Sequence, residues 1–269
     1  MTPKHCVTLL TDYGLEDGFV AACHGVIASL CPPARIIDIT HLVPPGDVRR
    51  GAAIMAQTVP YLPPGVHVAV IDPGVGTRRR AVALAADERV FVGPDNGVLS
   101  WAAAGAGLRA YELTESKLWL EPVSATFHGR DIFAPVAARI AAGHDVASVG
   151  EEIDPAGLVR LPPPSRDVHD GTAEGEVVTV DRFGNVQLSL TAADLDLIGA
   201  RWGGTLNVVL GRHPVRIPYG ETFGSVRPGE LVAYADAAGR VALAVNGGNA
   251  AQRLGLPPGA HVQITVARP

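Results

Sequence analysis

Cysteine is scarce in this 269-residue chain: only Cys6, Cys23 and Cys31 occur. The number is odd and no Cys-x-x-Cys pair exists, so neither a disulfide framework nor a zinc knuckle is suggested. Buried structural thiols in a reducing cytoplasm are the expectation. Lysine is nearly absent, at Lys4 and Lys117 alone, and the formal charge is −5. That balance lacks the basic excess of nucleic-acid binders. No run of about 18 apolar residues occurs, so no membrane-spanning helix is expected. The segment from Met1 enters a strand pattern at once, without the basic region and apolar core of a secretory signal. No internal repeat of fixed period and no low-complexity segment appears.

What is present is a hydrophobic content of 47%, enough to fill one large core or two ordinary ones. The first part alternates strands and helices. Val7 to Thr11, Arg35 to Thr40 and Val66 to Ile71 read as strands, followed by Ala81 to Ala85 and Val90 to Val92. Asp17 is placed to cap a helix through Leu30, and Asp47 one through about Thr58. Arg130 to Ala142 reads as an amphipathic helix, with Phe133, Val136, Ala137 and Ile140 on its apolar face. This alternation predicts an α/β domain with a mostly parallel layered sheet over residues 1–163. Residues 161–171 are rich in proline and polar groups, as linkers are. Beyond them, short strand-like runs are separated by glycine-rich turns, and only Ala192 to Ile198 looks helical. Residues 172–269 are therefore expected to form an all-β antiparallel barrel or sandwich.

Several segments carry candidate chemistry. Asp72-Pro-Gly-Val-Gly-Thr-Arg-Arg79 follows the apolar run Val66 to Ile71. A carboxylate at the carboxyl end of a buried parallel strand belongs in a ligand crevice. The glycine spacing fits neither the dinucleotide nor the phosphate-loop fingerprint. The glycines are better read as letting backbone approach a ligand or a neighbouring turn. Thr126-Phe127-His128-Gly129-Arg130-Asp131 opens the later helix. Carboxylate, guanidinium and imidazole together can hold and activate a small nucleophile. Thr11-Asp12-Tyr13-Gly14 puts another carboxylate past the first strand, as a turn residue or as an acceptor for two ribose hydroxyls. Asp12, Asp72, Asp95, His128 and Asp131 are conceivable hard-metal ligands, although none sits at metal-ligand spacing. The other histidines, among them His5, His24, His41 and His144, have no partner legible from position. Asp181-Arg182-Phe183-Gly184-Asn185 joins two strands. It is a hairpin turn, or a site where Phe183 stacks on a base and Asn185 pairs with a purine edge. Val245-Asn246-Gly247-Gly248-Asn249-Ala250 is a turn with glycine amides free for a ligand.

Taken in order, Leu10–Gly14, Val70–Thr77 with Arg79, Gly93–Gly97, Thr126–Asp131, Asp181–Asn185 and Val245–Ala250 resemble the S-adenosylmethionine hydroxide adenosyltransferases. These are relatives of the fluorinase and chlorinase enzymes, and the resemblance covers nearly the whole chain. It implies a nucleoside-binding catalytic α/β domain and a substrate-capping β-barrel domain. It implies a homotrimer in which substrate lies between the first domain of one subunit and the second of the next. The implied reaction is attack of water or hydroxide on the ribose 5′-carbon of S-adenosylmethionine, giving adenosine and L-methionine, with no cofactor and no metal. The family's Asp-Arg-His triad falls on Asp72, Arg79 and His128, and ribose binding on Asp12. Asp181 matches the partner of the methionine ammonium, while Phe183, Asn185 and Phe223 match adenine contacts. Asn246 and Gly247 complete the expected substrate set. Where the fluorinase carries a tyrosine and a serine, this chain has Asp72 and Gly129, and the fluorinase's long insertion is absent. A carboxylate at the nucleophile site repels halide and favours a hydrogen-bonded water. Of the triad, His128 has the better intrinsic pKa for a base. The halogenases clamp the methionine carboxylate with a Ser-Arg pair. Ala237-Ala238, beside Asp236, occupies that place here, so a clamp is absent or supplied elsewhere, for example by backbone amides. Halide-dependent cleavage, a non-catalytic adenosine or S-adenosylmethionine binding module, and a metal-dependent hydrolase are the alternatives.

Overall fold

The computed structural model describes residues 5–105, 107–210 and 213–267. The chain divides into two compact units, Met1–Pro162 and Pro163–Pro269.

The first unit is a three-layer α/β structure. It contains β1 (Cys6–Thr11), α1 (Phe19–Leu30), β2 (Arg35–Thr40), α2 (Val48–Thr58), β3 (Val66–Val70), β4 (Ala81–Ala86), β5 (Arg89–Pro94), β6 (Arg109–Glu112), β7 (Glu151–Ile153) and, before β7, α3 (Ala134–Ala141). The sheet order is β2-β1-β3-β5-β4-β6-β7. The β2-β1-β3-β5 half is parallel, and β4 and β7 run against the other strands. Alternate residues of the central strands feed opposite faces. Val66, Val68 and Val70 pack with Cys23 and Ile27 of α1 and Val136 and Ile140 of α3. Ala69 and Ile71 face Met55 of α2 and Phe91. Burial on both faces is why β3 reads as one unbroken apolar run.

Local signals set most helix ends. Asp47 caps α2, accepting from the Arg50 N–H at 2.9 Å. Asp17 does not cap α1: the cap position is Gly18, with no side-chain bond. The expected helix from Arg130 opens as a π-helical turn, Gly129–Phe133, before α3 begins. Short π segments gather at functional sites because they re-aim side chains. Cys6, Cys23 and Cys31 are all buried and free, and burial pushes the Cys23 thiol up to about 12. No helix among the described residues is long and apolar enough to cross a membrane.

The second unit is an antiparallel, nearly closed barrel. Its elements are β8 (Arg166–His169), β9 (Thr172–Val180), β10 (Val186–Thr191), α4 (Ala192–Leu197), β11 (Thr205–Leu210), β12 (His213–Pro218), β13 (Leu231–Ala235), β14 (Arg240–Val245), α5 (Ala250–Leu254) and β15 (His261–Val266). The order is β12-β11-β15-β9-β10-β14-β13, with β8 also paired to β9. The Tyr219–Ala233 bridge and the Gly220 N–H to Ala233 carbonyl bond (2.9 Å) join the two edges. Such closure removes the exposed edges that an open sheet leaves. Two sequence expectations change here. Part of the proline-rich stretch is strand β8, and Ala250–Leu254 is a second short helix, capped by Asn249.

Candidate active site

In the first unit, the carboxyl ends of the parallel strands converge. β1 runs beside β3, with Thr11 opposite Val70. The chain leaves β1 for β2 on one side and returns to β3 on the other. Asp12 and Asp72 therefore emerge at the point where the strand order reverses, the usual crevice of such sheets.

The loop after β3 is shaped by Gly76, whose φ is +75°, and where a Cβ would collide with the Ala125 carbonyl oxygen. The glycine thus lets the Asp72–Arg79 loop press on the segment leading to His128, which is the close-approach role read from the sequence. Arg79 reaches back to Asp72 as a fork. Its Nε lies 2.9 and 3.0 Å from the two carboxylate oxygens, and an Nη also bonds Oδ2. The same Nη lies 2.9 Å from His128 Nδ1. Side-chain exposure of 10% for Arg79 and 6% for Asp72 makes this a buried ion pair. In a low dielectric such a pair is geometrically rigid, but costly to break.

A guanidinium has only donors. His128 Nδ1 must therefore accept, and the neutral ring carries its proton on Nε2. Burial, and then the charge of Arg79, hold the His128 pKa below its ordinary value, so the neutral form persists. In this arrangement His128 offers a donor, which differs from the base role its intrinsic pKa suggests.

Asp12, Tyr13, Pro45, Gly46, Asp72, Val75, Thr126, His128 and Gly129 are among the residues lining a chamber of about 340 Å³. Asp12 Oδ2 accepts from the Gly46 N–H at 2.8 Å, which fixes the carboxylate and leaves Oδ1 as a further acceptor. Asp72, His128 and Asp12 thus line one cavity of the first unit, and Arg79 bridges the first two.

The remaining acidic candidates have structural partners. Asp95 pairs with Arg80 and accepts from the Val159 N–H at 2.9 Å. Asp131 pairs with Arg130 and accepts from the Ser124 N–H at 2.8 Å. The imagined metal set of Asp12, Asp72, Asp95, His128 and Asp131 does not assemble. A different trio does. His24 Nε2 and His41 Nε2 lie 2.8 and 3.0 Å from the same oxygen of Asp38, and His41 Nδ1 meets Thr11 Oγ1 at 2.8 Å. This corrects the reading that these histidines have no partner. Among the described residues, only these three place possible metal donors within 4.8 Å of one another. Asp38 Oδ1 accepts from the His24 ring, whereas His41 Nε2 sits at ion-pair distance from the same oxygen without making a hydrogen bond to it. The contacts link α1, β2 and β1, the last through Thr11, the residue before Asp12.

In the second unit the expected substrate residues cluster at one end of the barrel. Asp181 Oδ1 accepts from the N–H groups of Phe183 (2.8 Å) and Asn185 (2.9 Å), and Oδ2 from the Asn185 side chain (2.7 Å). No cation pairs with it among the described residues. Asn185 keeps its carbonyl oxygen and one amide hydrogen. Phe183 is 70% exposed. Gly184, at φ +84°, sits where any Cβ would strike Asn249, which locks this turn onto the start of α5. Asn246 donates to the Val226 carbonyl at 2.9 Å, and Phe223 packs 4.8 Å from Tyr234. Burial, then Asp236 and Asp181, push the Tyr234 hydroxyl up to about 12. In the Ala237-Ala238 turn the N–H groups of Ala238 and Arg240 bond Asp236 Oδ1 and that of Gly239 bonds its carbonyl, so these three amides are already engaged.

Sequence reasoning missed Tyr13 as a chamber wall and the His24–Asp38–His41 network. Only the placement of Tyr13 beside Asp12 hinted at the first.

Residues 7–150 match the family model described as SAM hydroxide adenosyltransferase N-terminal domain, and residues 175–263 its C-terminal domain counterpart. A Salinispora tropica protein named (R)-S-adenosyl-L-methionine hydrolase is 55% identical, over 98% of this chain and 99% of its own length. A Thermus thermophilus protein of the same name is 42% identical, over 96% and 98%. A Nocardia brasiliensis protein named fluorinase is 31% identical, over 97% and 96%. The crystal structure of an uncharacterised conserved protein from Thermotoga maritima superposes with a TM-score of 0.91 at 35% identity, covering 96% of this chain and 99% of that one. With both halves matched by their own family models and nearly full-length relatives on either side, the chain belongs to the SAM hydroxide adenosyltransferase family.

Proposed function

We propose that this protein hydrolyses S-adenosyl-L-methionine to adenosine and L-methionine by attack of water on the ribose 5′-carbon. The observation that carries the reading is the half-buried Asp72–Arg79–His128 cluster, whose Asp72 and His128 line the same chamber as Asp12. Relatives named for this hydrolysis support it.

The leaving group is a sulfonium, so the carbon–sulfur electron pair departs onto sulfur and no general acid is needed. The nucleophile is the obstacle. Asp72 accepts one proton of the water, and the Nε2–H of His128 donates to one of its lone pairs. As the carbon–oxygen bond forms, positive charge moves from sulfur to the attacking oxygen. An adjacent carboxylate stabilises that charge and takes the proton, which then passes to solvent. Arg79 holds the carboxylate and the imidazole in register. Positioned proton transfer is typically worth about 10²–10⁴-fold, and in-line placement adds to it. A halide has no proton to give and meets a fixed anion, which disfavours halide-dependent cleavage.

In this reading Asp12 binds the ribose diol, and residues 1–162 form the catalytic domain. The second unit caps the substrate. Asp181, without a cationic partner, receives the methionine ammonium. Phe183 and Phe223 stack on adenine, and Asn185 pairs with its edge. Asn246 and Gly247 shape the wall. The protein acts as a homotrimer, with capping residues of one copy serving the chamber of the next, and in the cytoplasm, where its three thiols stay reduced. It needs neither cofactor nor metal, so activity is expected to survive a chelator. The deciding experiment is incubation with S-adenosyl-L-methionine in ¹⁸O-water containing chloride. Adenosine labelled at the 5′-hydroxyl is expected. Unlabelled adenosine, 5′-chloro-5′-deoxyadenosine or no turnover overturns the reading.

A further inference from the structure

Tyr13 lines the chamber and carries a polar group to which the reaction above gives no task. Its ring is held on two sides, 5.7 Å edge-on to Phe127 and 6.0 Å from Phe19, and its N–H bonds Thr11 Oγ1 at 3.2 Å. The hydroxyl end lies over Gly129. A Cβ at position 129 would collide with Oη and stand 3.0 and 3.2 Å from Cζ and Cε2. Gly129 does not have a left-handed φ, so the lack of a side chain there answers a need for space, not for backbone freedom. Tyr13 and Gly129 both line the cavity that holds Asp72 and His128. Burial above all, with Cys23, Asp12 and Asp72, drives the phenol pKa far above its ordinary value. The group stays a neutral O–H, able to donate or accept. The hydroxyl makes no hydrogen bond to any described residue and, on a half-buried side chain that lines the chamber, is open to a water or ligand there.

We propose that Tyr13 is a positioning residue for the nucleophilic water, its hydroxyl occupying the place that a side chain at position 129 would otherwise fill. The inference rests on the hydrolytic reading above. A water in the chamber gives one proton to Asp72 and accepts from His128. Those two contacts leave it free to swing. A third, in which Tyr13 Oη accepts the second proton, leaves one lone pair, and that pair faces the 5′-carbon. The glycine at 129 is the condition for this contact, because phenol and Cβ exclude each other.

Tyr13→Phe removes only the hydroxyl and keeps the ring packing. Loss of one such hydrogen bond is expected to lower kcat about tenfold while KM stays within about twofold. A purely structural hydroxyl predicts no such split, so unchanged kcat, or a KM rise that accounts for the loss, overturns the proposal. The shared space is tested separately. Gly129→Ser is expected to abolish turnover in the parent, and adding Tyr13→Ala should restore S-adenosyl-L-methionine binding, measured by calorimetry. If the double variant binds no better than Gly129→Ser alone, the exclusion argument is wrong. If the parent forms no adenosine, the hydrolytic reading falls and takes this inference with it. If the parent is active and Tyr13→Phe is its equal, only the role of Tyr13 falls.

Discussion

The two ends of this chain hold their polar residues in different ways. In the first unit, Asp72, Arg79 and His128 come from two loops 49 positions apart and satisfy one another across the fold. In the second, Asp181 and Asn185 belong to a single turn and satisfy their own backbone, with Phe183 projecting outward. A cluster tied together by long-range contacts is fixed before any ligand arrives, and such preorganisation is what chemistry needs. A turn presenting an exposed ring and a half-used amide suits recognition, where adjustment on binding costs little. The contrast divides the labour: turnover depends on the first cluster and affinity on the second.

The sharpest way to break that division is Asp72→Ala. It leaves Arg79 buried beside an emptied site and removes the proton acceptor. Turnover should fall about 10²–10⁴-fold with a much smaller change in KM, as steady-state assays of adenosine release would reveal. Comparable loss in both constants would place Asp72 in binding. Asp12→Ala comes next. A charged acceptor is worth about 1.5–3 kcal/mol per bond, so calorimetry should find the dissociation constant raised roughly 10- to 150-fold, and equal binding would remove Asp12 from the ribose site. Phe183→Ala should weaken binding about tenfold, at the lower end of base–aromatic stacking, with kcat nearly intact. A kcat effect larger than the KM effect there would erase the distinction between the two units.

The smallest effect expected is in pH dependence. His128 must be neutral to accept from Arg79, and its pKa is lowered by burial and by that same arginine. The acid limb of kcat/KM should therefore lie below the ordinary histidine value of about 6.5. The same shift contributes stability that is fully present above the unfolded-state pKa and is lost as pH falls from there through the lowered folded-state pKa. An acid limb above 6.5 would mean that His128 is charged in the working enzyme.

Much of the architecture was legible because burial leaves a pattern. Val66 to Ile71 reads as a strand since both its faces are covered, and Asp47 reads as a cap since it is followed by a helical period. Strand β8 was hidden by neighbouring prolines, and its pairing partner β9 is what orders it. Helix α5 was hidden by its five-residue length, which its Asn249 cap and the packing of Ala250 sustain. Asp17 misled because a capping residue one position early looks the same in sequence as one in place. The triad residues could be named from their motifs. That Arg79 uses the Nδ1 of His128, and so turns the ring from acceptor to donor at Nε2, depends on which atoms meet.

The chain alone determined the layered α/β half, the β half and the segments that carry charge, because apolar periodicity and turn chemistry act over a few residues at a time. Folding in three dimensions decided which of those charges face each other. It joined Asp72 to His128 through Arg79, gathered His24 and His41 on Asp38, and set the Tyr13 hydroxyl over Gly129. These pairings depend on the angle at which loops leave a sheet and on whether one backbone atom can approach another, and local sequence does not encode either distance.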